Sequence, residues 1–390
     1  MPDSNPASHK RIRLGMVGGG QGAFIGAVHR MAARLDDQFT LVAGALSSDP
    51  ARTALSAAEL GIAPDRAYAN FEAMAAAEAA RPDGIEAVAI VTPNHLHVAP
   101  AMAFLKAGIH VICDKPLALN LEEAQSLAAV ARTSKKLFIL THNYTGHPMV
   151  RQARSMVAQG LLGDIRVVNA EYVQDWLTQN IEASGQKQAD WRTDPARSGA
   201  GGAVGDIGTH AFNLLCFVTG LQPQSLCAEL SRFVPGRRLD DDVQILLRFE
   251  GGARGMLWAS QVAPGNENAL RLRVYGSKGG LEWSQEEPNH LWFTPFGEPK
   301  RLLTRAGAGA GPDAARVSRI PAGHPEGYLE AFATIYAEAA KAIRAAERGE
   351  AKPDDVLYPT IEDGLAGMRF ITAAVASSAA GGVWQPFPEV

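Results

Sequence analysis

The first 144 residues alternate two hydrophobic periods. Short apolar runs at 12–17, 40–45, 87–91, 109–113 and 137–141 have the length of buried strands, and helix-length segments at 27–35, 51–60, 98–107 and 121–132 separate them. Strands alternating with such helices are the pattern of βαβ units, so this half predicts a parallel sheet. The rhythm changes after about Tyr144. A helix at 150–159 and a strand at 165–172 lead into a polar stretch, 174–202. Strand-like runs follow at 243–249, 255–262, 270–275 and 281–283, joined by Gly251-Gly252 and Gly279-Gly280. Two-residue glycine turns predict antiparallel hairpins, and Leu270-Arg271-Leu272-Arg273-Val274-Tyr275 alternates as a strand with one polar face does. A flexible loop at 307–311 and helices at 326–348 and 361–378 complete the chain. The expected organisation is a disordered tail over 1–10, an α/β domain over 11–144, and an α+β domain over 145–390 on a mostly antiparallel open sheet.

Composition narrows the function classes. Hydrophobic residues make up 46% and charged residues 20%, as in a packed globular protein. A formal net charge of -4 gives no electrostatic case for nucleic acid or for an anionic membrane surface. Cys113, Cys216 and Cys227 lie far apart without C-x-x-C spacing, which favours reduced thiols over a disulfide framework or structural zinc. The polar start, Met1 to Arg13, lacks the apolar core of a signal peptide, and no apolar run approaches a membrane span. The expected location is cytoplasmic, with no membrane and no nucleic acid as partner.

The first strand ends in Val17-Gly18-Gly19-Gly20-Gln21-Gly22-Ala23, ahead of an apolar helix. Gly18-x-Gly20-x-x-Ala23 matches the dinucleotide fingerprint: Gly18 for the tight turn, Gly20 for close approach to the pyrophosphate, small Ala23 for helix–strand packing. Residues 11–144 are therefore expected to be a Rossmann dinucleotide-binding domain, with Gln21 also at the cofactor. After the second strand, Ser47 stands where an acid would read the ribose 2′-hydroxyl of NAD, and Arg52 is one helical turn further on. This admits NADP as well as NAD; equally, Asp49 can cap the helix and leave Arg52 solvated.

Three further stretches identify a family. Val91-Thr92-Pro93-Asn94-His95-Leu96-His97 closes the third strand, Cys113-Asp114-Lys115-Pro116-Leu117 closes the next, and Gly205-Asp206-Ile207-Gly208-Thr209-His210 opens a helix in the second half. With the glycine turn, they resemble the glucose–fructose oxidoreductase / inositol dehydrogenase (Gfo/Idh/MocA) family over nearly the whole chain. The resemblance implies that the Lys of an E-K-P motif, here Lys115, and the Asp and His of D-x-x-x-H, here Asp206 and His210, serve the reaction. Asp114 replaces the family's usual Glu, which keeps the charge and shortens the reach toward the nicotinamide ribose. Thr92, Asn94, His97, Asp114, Lys115 and Pro116 are the expected cofactor contacts of these motifs. The residues agree on chemical grounds. Sites on parallel sheets lie at the carboxyl ends of strands, and positions four apart, as Asp206 and His210 are, share a helix face. Oxidising a secondary alcohol needs a base for the hydroxyl proton, which His210 suits. Asp206 would orient the imidazole or the substrate, and an adjacent carboxylate would raise the imidazole's pKa. Lys115 would polarise the oxygen. Lys115 and His210 can also exchange the proton-acceptor role.

Asn143 and Tyr144, past a strand end, are candidate substrate contacts, as are Trp176 and Arg192 in the polar stretch. Aromatic faces with amide and charged groups suit a polyhydroxylated ring, and Lys187, Arg192 and Arg197 could hold an anionic substituent. His95 and His97 form H-x-H without a matching cluster, and hydride transfer needs no metal, so none is expected. His324-Pro325-Glu326-Gly327-Tyr328 before a long helix reads as a cap as readily as a source of polar groups at the cleft. The leading expectation is an NAD(P)-dependent dehydrogenase of a secondary ring hydroxyl on a sugar, glycoside or cyclitol. The alternative is glycoside cleavage through transient oxidation, with no net redox change. A sheet with one uncovered face predicts a homodimer or homotetramer.

Overall fold

The computed structural model describes residues 10–388, so residues 1–9 of the expected tail lie outside the described residues. Strands β1 (Ile12–Gly18), β2 (Phe39–Ala45), β3 (Ala87–Val91), β4 (His110–Cys113) and β5 (Phe138–Leu140) form a parallel sheet in the order β2-β1-β3-β4-β5. Helices α1 (Phe24–Leu35), α2 (Pro50–Glu59), α3 (Phe71–Ala80), α4 (Val98–Lys106) and α5 (Leu121–Thr133) alternate with them. Every residue of β3 and β4 is buried, which is why these strands read as unbroken apolar runs. The hydrophobic pattern does not reveal α3: its run of alanines has no polar stripe, and its start is set by Asn70, whose side chain accepts from the Ala73 N–H.

The second half opens with α6 (Pro148–Ala158) and β6 (Ile165–Val173). The polar stretch holds two short helices, α7 (Lys187–Arg192) and α8 (Pro195–Ser198), before a π turn (Val204–Gly208) that runs into α9 (Thr209–Thr219). Strands β7 (Pro223–Ser231), β8 (Asp242–Phe249), β9 (Arg254–Ser260), β10 (Ala269–Gly276), β11 (Gly279–Ser284), β12 (His290–Pro295) and β13 (Arg301–Thr304) follow. Helices α10 (Pro312–Ala315), α11 (Tyr328–Glu347) and α12 (Ile361–Ala379) and strand β14 (Gln385–Pro386) complete the described chain. The nine-stranded sheet has the order β13-β12-β11-β10-β6-β9-β8-β7-β14, with β6 and β9 parallel and the other pairs antiparallel.

The fold class is as expected, with more strands than the pattern gave. The Glu250–Gly252 turn does join β8 to β9, with Gly251 and Gly252 at positive φ. Gly279 and Gly280, expected in a turn, lie within β11 instead; the turn is Ser277-Lys278, whose N–H groups donate back to Asp164 and Leu162. One link between the halves matters for the site. From α11, Phe332, Ile335, Tyr336 and Ile343 share a core with Leu14, Met16 and Val28, so this helix covers a face of the parallel sheet far behind it in sequence. Its first turn thereby brings Tyr328 and Phe332 to the wall of the cleft between the sheets.

Candidate active site

A cleft of about 980 Å³ opens at the carboxyl ends of the parallel strands and extends to the second sheet. At one end lies the glycine turn, where Gly18 closes β1 at φ +80°. The neighbouring glycines carry packing constraints as well. A Cβ on Gly20 would stand 2.8 Å from the Leu46 carbonyl oxygen, so Gly20 is required by contact with the end of β2. A Cβ on Gly26 would stand 2.4 Å from the Gly19 Cα, so Gly26 lets α1 pack against the turn. Ala23 is the N-cap of α1 and offers no side-chain cap, nor does the first turn carry an acid. The helix thus presents uncapped N–H groups and unopposed positive dipole to the cleft, which fits a dinucleotide diphosphate. Gln21 lines the cleft too, with its N–H on Ser56 Oγ and its side chain on Glu59.

Ser47 and Arg52 line the same end of the cleft. Asp49 caps α2 by accepting from the Ala51 N–H, Ser47 Oγ accepts from the Asp49 N–H, and Arg52 is exposed. Thr92 and Asn94 line the cleft further in, with Asn94 Nδ2 donating to the Ser198 carbonyl and so tying the polar stretch to the end of β3. His97 and Pro116, expected at the cofactor, are not among the lining residues. His97 is fully buried, with Nδ1 2.7 Å from the Pro116 carbonyl oxygen and Nε2 2.9 Å from that of Thr92. It braces the two strand-end turns from behind, although burial lowers its pKa. Asp114 accepts from the Lys115 N–H and from Thr141 Oγ1 at 3.1 Å, and it faces the cleft.

Lys115, Asp206 and His210 come together in the middle of the cleft. Lys115 Nζ donates to Asp206 Oδ1 at 2.9 Å and to the Asp206 carbonyl oxygen at 2.7 Å. Asp206 Oδ2 accepts from Gln261 Nε2 at 2.9 Å and lies 3.3 Å from Arg192 Nε. Burial alone would raise the Asp206 carboxyl, but the Lys115 and Arg192 charges win and hold it far below the usual carboxylate range. His210 is buried, and both desolvation and the Lys115 ammonium push its pKa well below the ordinary value; Asp206 pulls the other way and loses. This corrects the expected upward shift. Among the described residues no hydrogen bond joins Asp206 to His210, so the carboxylate orients Lys115 and Arg192 and leaves the imidazole neutral.

The far end of the cleft carries a polar network that sequence reasoning found only in part. Tyr144 and Tyr172 share a 2.6 Å O–H···O contact, Tyr172 donates to Asn268 Oδ1 at 2.8 Å, and Gln174 Nε2 donates to the same oxygen at 2.7 Å. Trp176 Nε1 donates to Gln174 at 3.1 Å, and the buried Asn143 side-chain nitrogen at the cleft has no partner among the described residues. Such an orphan donor fits a ligand acceptor. Lys187 lines the cleft; Arg197 does not, being paired with Asp190 and Asp194. Tyr172, Asn268 and Gln285 were missed, whereas Tyr328 closes the His324–Tyr328 stretch that offered polar groups to the cleft. Only Tyr172 and Asn268 carried a signal, as polar groups at the edges of apolar strand runs. Glu326 is buried on Arg305 and is structural.

The fold and cleft define an NAD-binding oxidoreductase acting on CH–OH groups. The chain belongs to the Gfo/Idh/MocA family: residues 12–144 match the oxidoreductase family's NAD-binding Rossmann fold, and residues 150–282 match the GFO/IDH/MocA C-terminal domain. It is similar to an oxidoreductase from Sinorhizobium meliloti, 60% identical over 97% of this chain and 100% of that one, with a TM-score of 0.89. It also resembles an inositol dehydrogenase homolog from Azotobacter vinelandii solved with NAD+, 39% identical over 97% and 98% of the two chains, TM-score 0.93; the same homolog was solved with NADH and myo-inositol. An uncharacterized oxidoreductase of Bacillus subtilis, YfiI, is 36% identical over 97% of both chains. No described helix is long and apolar enough to cross a membrane.

Proposed function

We propose that the protein oxidises a secondary ring hydroxyl of a cyclitol or sugar, with the polar network from Tyr144 to Trp176 receiving the ring hydroxyls. The observation that carries this reading is the Lys115–Asp206 ion pair beside a buried His210, in one cleft with the glycine turn. When bound, the nicotinamide supplies the hydride acceptor. The chain's residues do the rest. Lys115, held on Asp206, polarises the reacting oxygen, and neutral His210 takes its proton. Residues 11–144 serve the dinucleotide and 145–390 the substrate and assembly, with α11 returned to the first sheet.

The test is a screen of cyclitols, free sugars and glycosides with NAD and NADP, following nicotinamide absorbance alongside sugar release. Reduced cofactor accumulating with a cyclitol or sugar supports the dehydrogenase. Sugar release without net reduction would replace it with redox-assisted glycoside cleavage.

We further propose that the uncovered face of the nine-stranded sheet joins copies of the chain. Leu246, Met256, Trp292 and Leu302 lie in one cross-strand row on that face, at 49%, 53%, 40% and 41% exposure, with Val167 and Tyr275 in the next row. Arg271 and Arg273 face the same way while Leu270, Leu272 and Val274 are buried, as the alternation required.

A further inference from the structure

A second histidine stands against His210. His142 follows β5, is buried, and does not line the cleft; its Nδ1 lies 3.5 Å from Nδ1 of His210, with the rings meeting edge to face. The other groups around the pair are Asp114 and Lys115 after β4, Asp206 in the π turn, and the rings of Tyr144 and Tyr172. Burial first, then the Lys115 charge, lowers the His142 pKa to about 3 and drives His210 down as well, so both rings are neutral. A neutral imidazole carries one N–H, and the partner of one nitrogen decides where it sits. Two facing Nδ1 atoms admit two arrangements. If His142 donates, His210 carries its proton on Nε2 and has no lone pair there to accept another. If His210 donates, its Nε2 is bare.

We infer that His142 is a positioning residue that accepts the Nδ1–H of His210 and so fixes the tautomer whose Nε2 lone pair can take the substrate proton. The inference rests on His210 being the proton acceptor. In that step the substrate O–H bond breaks and an Nε2–H bond forms, the hydride leaves carbon for the nicotinamide, and the C=O bond closes. His142 makes and breaks no covalent bond. Its hydrogen bond becomes charge-assisted as the imidazolium forms, and a contact that is long at rest has room to tighten then.

The tautomer can be read without turnover, by ring-nitrogen NMR of the full chain labelled with ¹⁵N-histidine, the His210 signals being assigned by their loss in His210→Gln. The expected result is a protonated Nδ1 and a bare Nε2. His142→Phe keeps an aromatic ring and removes the acceptor, and should lower kcat about 10–100-fold while KM and NAD affinity stay within about twofold. His142→Gln, with an oxygen that can accept, should restore most of kcat. A wild-type His210 protonated on Nε2, or a folded His142→Phe with wild-type kcat, overturns the inference. Normal turnover by His210→Ala, with the expected tautomer seen, removes the base assignment alone.

Discussion

At the residue scale the site is governed by which charges are buried together. Lys115 and Asp206 are legible in the sequence because they sit in strand-end and helix-start motifs, but their pairing is not, since Asp206 was expected on the imidazole or the substrate. What those motifs do not carry is the sign of the shift at His210, because desolvation and the Lys115 charge depend on tertiary burial. The consequence is a pH prediction. A base must be neutral to accept a proton, and a folded-state pKa below the free value keeps it neutral throughout the neutral range. The His210 limb of kcat/KM should therefore lie below pH 6.5, with activity lost only on further acidification. A limb at or above that value would mean that Asp206 outweighs burial. At the other end of the cleft, Ser47→Asp places a carboxylate where a 2′-phosphate would sit. It should cost NADP about 1–3 kcal/mol in kcat/KM relative to NAD. An unchanged cofactor ratio would place Ser47 away from the ribose.

At the element scale the hydrophobic periods located all five parallel strands and the two long C-terminal helices. The elements they missed share a physical reason: their partners, not their own pattern, make them. Helix α3 has no polar stripe, and the four-residue β13 is an edge strand held by β12. Strand β7 begins with Pro223 and has a polar sequence, and its outer edge is partly satisfied by β14 and by the Ser377 and Ser378 hydroxyls, which accept from the Ala228 and Leu230 N–H groups. The same dependence on close approach sets the α1–turn contact. Gly26→Ala would force its methyl against the Gly19 backbone, so it should destabilise the fold by about 1–3 kcal/mol and weaken NAD binding together. Thermal unfolding and NAD titration check this; a variant with both unchanged would show that α1 and the turn can separate freely.

At the scale of the whole molecule, two sheets and a helix returned from the far end of the chain place one cleft between nucleotide-binding and substrate-binding surfaces. The missed cleft residues Asn268 and Gln285, and the undecided Tyr328, belong to this scale, since each reaches the site only through the register of β10 and β11 or the packing of α11. The row across the open sheet face, with exposed apolar side chains at both ends and Asn169, Arg273 and Glu282 between them, leads to a mass prediction. Light scattering at micromolar concentration should give a dimer or tetramer of the 41.4 kDa chain, and Met256→Glu, at the most exposed apolar position of the row, should shift it toward monomer. A wild-type mass near 41.4 kDa would contradict the assembly. The central claim is that this cleft oxidises an alcohol with His210 as proton acceptor, and the most direct measurement is kcat of His210→Ala with an identified substrate. The account predicts a loss of about 10²–10⁴-fold with NAD affinity nearly unchanged. Near-wild-type turnover in that variant, with Lys115→Ala inactive, would contradict it and move the proton to Lys115.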